Sequence, residues 1–118
     1  MEDEIREKIW IIMSDVFVDI EIDYKSIAEN LKLNAQDISN DQLKIIFCNE
    51  VAPYCAPNMM AVIPPIWTGF APESLIKGIK ESNEKYKTSI YAMIKLDIFK
   101  LFNKSYINEE WGNLEKYL

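Results

Sequence analysis

The chain has 118 residues, a formal net charge of −6 and 49% apolar residues. This length predicts one domain, residues 1–118, with a real hydrophobic core, and a charged fraction of 27% is ordinary for a globular protein. Histidine is absent and only two cysteines occur, so the commonest general base and a complete zinc site are both missing. We therefore expect no metal and no cofactor.

The start of the chain is acidic, with Glu2, Asp3 and Glu4 where a signal peptide would carry basic residues. The longest apolar runs are short or broken by proline, so we expect no membrane span. Without an export signal, Cys48 and Cys55 are expected to be reduced thiols. The predicted location is the cytoplasm.

Apolar residues recur at helical spacing from the start of the chain. This spacing predicts a first helix over about residues 3 to 18 and a second over about 24 to 33. Asp23 has the residue type and position of an N-cap for the second helix. Ser39 and Gln42 form the capping-box pattern that opens a third helix.

The stretch 47 to 70 comes next and holds four of the five prolines together with both cysteines. Proline lacks a backbone donor and disfavours the helical conformation of the residue before it, so Pro53 is expected to end the third helix. Most of the stretch is nevertheless apolar. We expect an irregular apolar segment packed across the first and third helices, with Trp67 and Phe70 buried against the first.

Pro72 sits at a typical first helical position and opens a further helix, and the polar residues 80 to 88 are expected to form a loop or frayed turn. A last short helix is expected from about Asn108. The longest apolar stripe of the chain precedes it and predicts another helix: Ile90, Tyr91, Ile94, Ile98, Leu101 and Phe102. The fold class is therefore all-α, a compact bundle of five or six helices.

The order of several short motifs resembles a family of small bacterial proteins of unknown function, over most of residues 9 to 76. The strings that carry the resemblance are Trp10, Ser14-Asp15, Phe17-Val18-Asp19, Asp23-Tyr24 with Ile27-Ala28, Glu50-Val51-Ala52-Pro53, Cys55-Ala56-Pro57-Asn58 and Ile63-Pro64-Pro65-Ile66-Trp67-Thr68-Gly69-Phe70. The resemblance implies a helical fold and a bacterial origin. It marks these as motif residues with a structural role: Trp10, Asp15, Glu50, Pro53, Asn58, Trp67, Gly69 and Phe70. Some small bacterial proteins of similar size and charge are immunity proteins against toxins, including those of contact-dependent growth inhibition.

Charge is unevenly divided along the chain. Residues 1 to 76 carry 13 acidic and 5 basic residues, a net of −8, whereas residues 77 to 118 carry 6 and 8, a net of +2. An acidic surface attracts basic partners and repels nucleic acid and anionic membrane. We therefore predict a non-enzymatic immunity protein that binds a basic toxin, such as a nuclease. The candidate partner-binding residues are Asp19, Glu21, Asp23 and Glu29.

Two carboxylates leave room for a different hypothesis. Asp15 and Asp19 lie one helical turn apart near the end of the first helix, where the dipole disfavours anions. One hypothesis is structural: Asp15 accepts hydrogen bonds from backbone N–H groups of residues 53 to 58, and Glu50 ties down the same loop. The alternative is a small enzyme in which Asp15 or Asp19 pairs with Glu50 for acid–base catalysis.

The lysines of the C-terminal helices support a third hypothesis, a nucleic-acid-binding or scaffold protein. Arginine occurs only once, at Arg6, so the residues that read phosphates and bases with two hydrogen bonds are missing. A solvated helix face is the favoured interpretation of these lysines. The identity of the partner and the oligomeric state stay open at this point.

Overall fold

The computed structural model describes the chain over three ranges: residues 3–18, 21–59 and 71–118. For Asn58 and Met59 it describes the backbone alone. Several residues singled out by their sequence pattern lie outside the described residues: Asp19, Trp67, Gly69 and Phe70. The expected burial of Trp67 and Phe70 against the first helix therefore concerns the part of the chain that is not described.

Helices follow one another through the described ranges, which contain no strand. The elements are α1 (Asp3–Ser14), a 3₁₀ turn (Asp15–Phe17), α2 (Tyr24–Asn34), α3 (Asn40–Ile46), a π turn (Phe47–Val51), α4 (Ala52–Met59), α5 (Pro72–Thr88), α6 (Ile90–Phe102) and α7 (Lys104–Glu115). Because the π turn joins α3 and α4 into one continuous rod, the helices form six rods. This confirms the predicted all-α bundle of five or six helices.

The helix starts agree with their sequence signals. The side chain of Asp23 accepts a hydrogen bond of 3.1 Å from the backbone N–H of Ser26 and so caps α2. At the start of α3, Ser39 and Gln42 exchange the two reciprocal hydrogen bonds of a capping box, each 3.2 Å. Pro72 begins α5. These signals work because each cap satisfies backbone donors within three residues of itself.

The prediction that Pro53 ends the third helix is wrong. Pro53 is the second residue of α4, and Pro57 lies within the same helix. In an α-helix a proline ring clashes with the carbonyl four residues earlier. Proline also lacks the N–H group that would bond to that carbonyl. Here the π turn comes just before, and the N–H of Ala52 bonds to the carbonyl of Phe47, five residues back. The wider turn relieves the contact of the proline ring, so the rod continues.

The loop expected over residues 80 to 88 is also absent, because α5 continues through it to Thr88. Lysine and glutamate are strong helix formers and tolerate a solvated face, so polarity alone does not end a helix. Tyr86 keeps partial contact with the protein, and Lys80 forms an ion pair with Glu7 at 3.5 Å. The last helix likewise starts earlier than expected, at Lys104.

One hydrophobic core joins the helices from Ile9 to Leu114. Phe47 lies within it, with its ring centroid 5.5 Å from that of Phe17 and 5.6 Å from that of Trp111. The radius of gyration, 13.7 Å, matches the roughly 13.5 Å expected for a folded domain of this length. In contrast to the other helices of the bundle, α6 has no buried residue.

Candidate partner-binding site

Three carboxylates of the described residues line a small surface cavity of about 250 Å³ between the end of α1 and the start of α2. We call it the acidic hollow, and its carboxylates are Asp15, Glu21 and Asp23. Its apolar lining consists of Val18, Ile22 and Ile27. The hollow therefore combines negative charge at its edge with an apolar wall.

The hollow lies where one helix ends and the next begins. The 3₁₀ turn that follows α1 ends at Phe17, and Asp23 is the N-cap of α2. Ser26 donates a hydrogen bond to each carboxylate oxygen of Asp23, one from its backbone N–H at 3.1 Å and one from its hydroxyl at 2.9 Å. These hydrogen bonds hold the pKa of Asp23 below its ordinary value, so the carboxylate stays ionised.

Asp15 differs from Asp23 in its surroundings. It lies at the surface with one side against the protein, and burial of that side raises the pKa of its carboxyl above the ordinary value. Within the described part of the chain it accepts no hydrogen bond from residues 53 to 58, contrary to expectation. The physical reason is that these residues are helical, so their N–H groups bond to carbonyls of the preceding turns.

The structure thus brings together two of the four candidate partner-binding residues. Glu21 and Asp23 line the hollow, and Asp15, grouped by sequence with the structural residues, lines it too. Glu29 is exposed farther along α2 and does not line it. Sequence spacing missed Asn30, which reaches the hollow from two helical turns beyond Asp23.

Glu50 lies elsewhere, in a buried polar cluster with Arg6 and Trp10. One carboxylate oxygen accepts hydrogen bonds from Arg6 Nε at 2.8 Å and from Trp10 Nε1 at 2.9 Å, and the other accepts one from Arg6 Nη2. The hydrogen bond to Glu50 raises the pKa of the Arg6 guanidinium. Glu50 therefore fastens the π turn to α1 and not, as the sequence predicts, a loop after Pro53.

A larger polar cleft of about 790 Å³ lies over this cluster and reaches α5 and α6. Its lining carries four acidic and four basic residues, so the charges balance. Arg6 pairs with Glu50 and Lys80 with Glu7, and Lys100 donates a hydrogen bond of 2.9 Å to Asn49 Oδ1. Glu50 lines this cleft while Asp15 lines the acidic hollow, so the two carboxylates of the enzyme hypothesis do not share a cavity. Asp19, their alternative partner, is outside the described residues.

Both cysteines are free thiols on the rod formed by α3, the π turn and α4. Cys55 is buried and Cys48 partly exposed. Burial raises the pKa of each thiol, which keeps it protonated and a poor nucleophile at neutral pH. Since the rod is continuous, residues seven apart lie about 10 Å apart along its axis, beyond the reach of a disulfide.

Fold and surface together define a small all-α domain. Among the described residues, none of the helices has the length and apolarity needed to cross a bilayer. A family model described as a domain of unknown function, DUF7079, matches residues 4–117, and the chain belongs to this family. Neither a curated protein nor a solved structure matches the chain. The family match takes in the C-terminal helices, beyond the stretch 9 to 76 that carries the sequence resemblance.

Proposed function

We propose that this domain is a non-enzymatic protein-binding protein, specifically an immunity protein that neutralises a basic bacterial toxin in the cytoplasm. The acidic hollow is the observation that carries the proposal. It places ionised Asp23 and exposed Glu21 beside an apolar wall, within residues 1 to 76, whose net charge is −8.

The hollow has the chemistry to receive a lysine or arginine side chain. Such a side chain has an apolar stem, which the wall of Val18, Ile22 and Ile27 can cover, and a cationic end that can reach the carboxylates. A cation close to Asp15 would also offset the loss of solvation that raises its pKa. Binding would therefore gain from both charge and burial.

A nuclease is the toxin class that fits this surface best. Nucleases bind a polyanion and need a basic surface to do so, which an acidic protein can cover. Opposite charges also accelerate the encounter of two proteins, and salt screens the effect over a Debye length of ~8 Å at physiological ionic strength. We expect the toxic domain encoded beside this gene to be such a protein.

The test uses that neighbouring toxic domain and a charge reversal, Glu21→Lys. We expect the variant to fold with unchanged stability, to bind the toxin about tenfold more weakly, which corresponds to ~1.4 kcal/mol, and to protect cells poorly. Glu109→Lys is the matched control, because it makes the same change in net charge at an exposed position on α7. Asp23 is unsuitable because its replacement would also remove the cap of α2.

Equal protection by both variants would show that the acidic hollow is not the interface. Equal loss by both would show that only net charge matters. A neighbouring gene product that is harmless in cells, or that this protein fails to bind, would contradict the proposed function itself.

A further inference from the structure

Helix α6 is apolar on two opposite faces. Its inner side is formed by Ala92, Leu96 and Phe99, of which Phe99 packs against the core. None of its 13 residues is buried. A large exposed apolar face normally has a cover, and among the described residues the other face of α6 has none.

This α6 outer face consists of six large side chains, each between 50% and 80% exposed: Ile90, Tyr91, Ile94, Ile98, Leu101 and Phe102. At about 100° per residue they fall within an arc of about 120°. Tyr91, Ile94, Ile98 and Leu101 repeat at steps of three, four and three residues. That spacing is the a/d seam through which helices pair side by side.

The size of the face decides what kind of contact it can make. Six side chains exposed to this degree present on the order of 700 Å² of apolar surface, close to the ~800 Å² that each partner contributes to a standard protein interface. An apolar patch of this size is unusual on a monomer and marks an interaction site.

We propose that the α6 outer face binds the same face of a second copy, so that the protein is a two-fold homodimer. A two-fold contact needs a self-complementary patch, and an apolar seam without a charge in its arc meets that need. By the same helical geometry Lys95 and Asp97 lie at opposite edges of the arc, and Lys95 Nζ is 5.0 Å from the centroid of the Tyr91 ring.

The proposed toxin is not the expected occupant of this face. A basic protein would find no carboxylate within the arc. Of the charges at its two edges, Lys95 offsets Asp97, and Lys104 lies just beyond the end of α6. The acidic hollow lies between the end of α1 and the first turns of α2, away from α6 in the chain. Dimerisation and toxin binding therefore use different surfaces and respond differently to salt: salt weakens toxin binding but leaves an apolar dimer intact or strengthens it.

Sedimentation equilibrium of the full chain tests the proposal. We expect a mass twice the monomer's 13.8 kDa at high concentration. The dimer should have a dissociation constant below about 10 μM. Leu101→Glu should make the protein monomeric across the whole range. Leu33→Glu is the matched control, since Leu33 on α2 is 71% exposed and Leu101 is 72% exposed. Ile94→Glu, in the seam, should act as Leu101→Glu does, and circular dichroism establishes that each variant is folded.

A wild-type protein that stays monomeric at 100 μM or so would overturn the proposal, because a contact of this size should then be populated. Hydroxyl-radical footprinting would add the reason: protected Tyr91 and Phe102 in a monomer mean cover within one chain, and reactive ones mean a different partner. The proposal would also be overturned if the Leu101→Glu variant and the Ile94→Glu variant each still formed dimers. Monomeric Leu101→Glu should still protect cells from the toxin, so failure here is distinguishable from failure of the proposed function.

Discussion

Two helical regions of this protein both carry large apolar side chains but have opposite environments. The rod of α3, the π turn and α4 carries fully buried apolar residues, among them Phe47, Val51 and Cys55. Helix α6 is at least as rich in large apolar side chains, yet none of them is buried. The comparison shows that an apolar stripe identifies a helix but does not by itself identify what covers it.

Neighbouring elements explain the difference. The rod is packed against α1, the 3₁₀ turn and α5, and Phe47 meets Trp111 of α7, so it is surrounded. Helix α6 contacts α5, α7 and α4, and these lie on its inner side. Burial depends on the number of surrounding elements. Two equally apolar helical stripes can therefore differ by several kcal/mol in their contribution to the stability of the fold.

The largest effect should come from truncating matched aromatic residues in the two regions. Phe47 is 0% exposed and Phe102 is 80% exposed. Phe47→Ala removes the ring contacts with Phe17 and Trp111 and leaves a cavity, so we expect a loss of about 3–5 kcal/mol in the free energy of unfolding. Phe102→Ala should change it by less than about 0.5 kcal/mol when dilute protein is unfolded with urea.

Similar losses for both residues in dilute protein would contradict the comparison, because they would mean that α6 is covered within a single chain. At high concentration Phe102→Ala should weaken self-association, which gives a second readout on the same variant.

Local signals explain most of what the sequence predicted correctly. Asp23 and the Ser39–Gln42 pair act on backbone groups within three residues, so sequence alone suffices to place the starts of α2 and α3. The prediction at Pro53 is wrong because the π turn before it relieves the clash that would otherwise end the helix. No residue type predicts a π turn. The polarity of residues 80 to 88 suggests a loop, but their lysines and glutamates are strong helix formers and continue α5 to Thr88.

In the candidate site, too, sequence predicts the features that depend on neighbouring residues and not the contacts between distant ones. Glu21 and Asp23 are near neighbours at a helix start, where an acidic surface could be expected from sequence. The bond between Arg6 and Glu50 joins residues 44 positions apart, and no local pattern predicts such a pairing. One signal did exist: Arg6 and Trp10 are one helical turn apart and therefore share a face of α1, which is where Glu50 meets them.

A smaller effect should separate two helical glycines. A Cβ added to Gly78 on α5 would lie 2.2 Å from the ring of Tyr54 on α4, whereas one added to Gly112 on α7 would meet nothing within 4 Å. Gly78→Ala forces the Tyr54 ring to move, and we expect a net loss of about 1 kcal/mol in the free energy of unfolding. Gly112→Ala should instead gain about 0.5–1 kcal/mol from the better helix propensity of alanine.

Tyr54→Ala provides the control for this pair. In that background Gly78→Ala no longer meets a ring and should become stabilising, as Gly112→Ala is. A double-mutant cycle by urea unfolding measures the coupling, and no coupling between positions 54 and 78 would show that the close approach of α4 to α5 is not maintained in solution.

The smallest effect concerns Asp15 and has the opposite sign to the one expected from sequence. If Asp15 held backbone donors, Asp15→Asn would destabilise the fold. In the structure, burial raises the pKa of Asp15, so its charged form is disfavoured in the folded state. The folded protein then binds this proton more tightly than the unfolded chain, and stability decreases as pH rises from the unfolded value of about 3.9 through the raised folded value. Above that window the penalty is complete.

Asp15→Asn removes this penalty, so at pH 7 we expect a gain of about 0.5 kcal/mol or less in the free energy of unfolding, because solvent screens a surface carboxylate. The gain should shrink as the pH falls through the window, as thermal unfolding of both proteins at several pH values would show. Asp37→Asn, at another exposed position, is the control for the substitution itself. A loss above about 1 kcal/mol in Asp15→Asn would mean that this carboxylate accepts hydrogen bonds that support the fold.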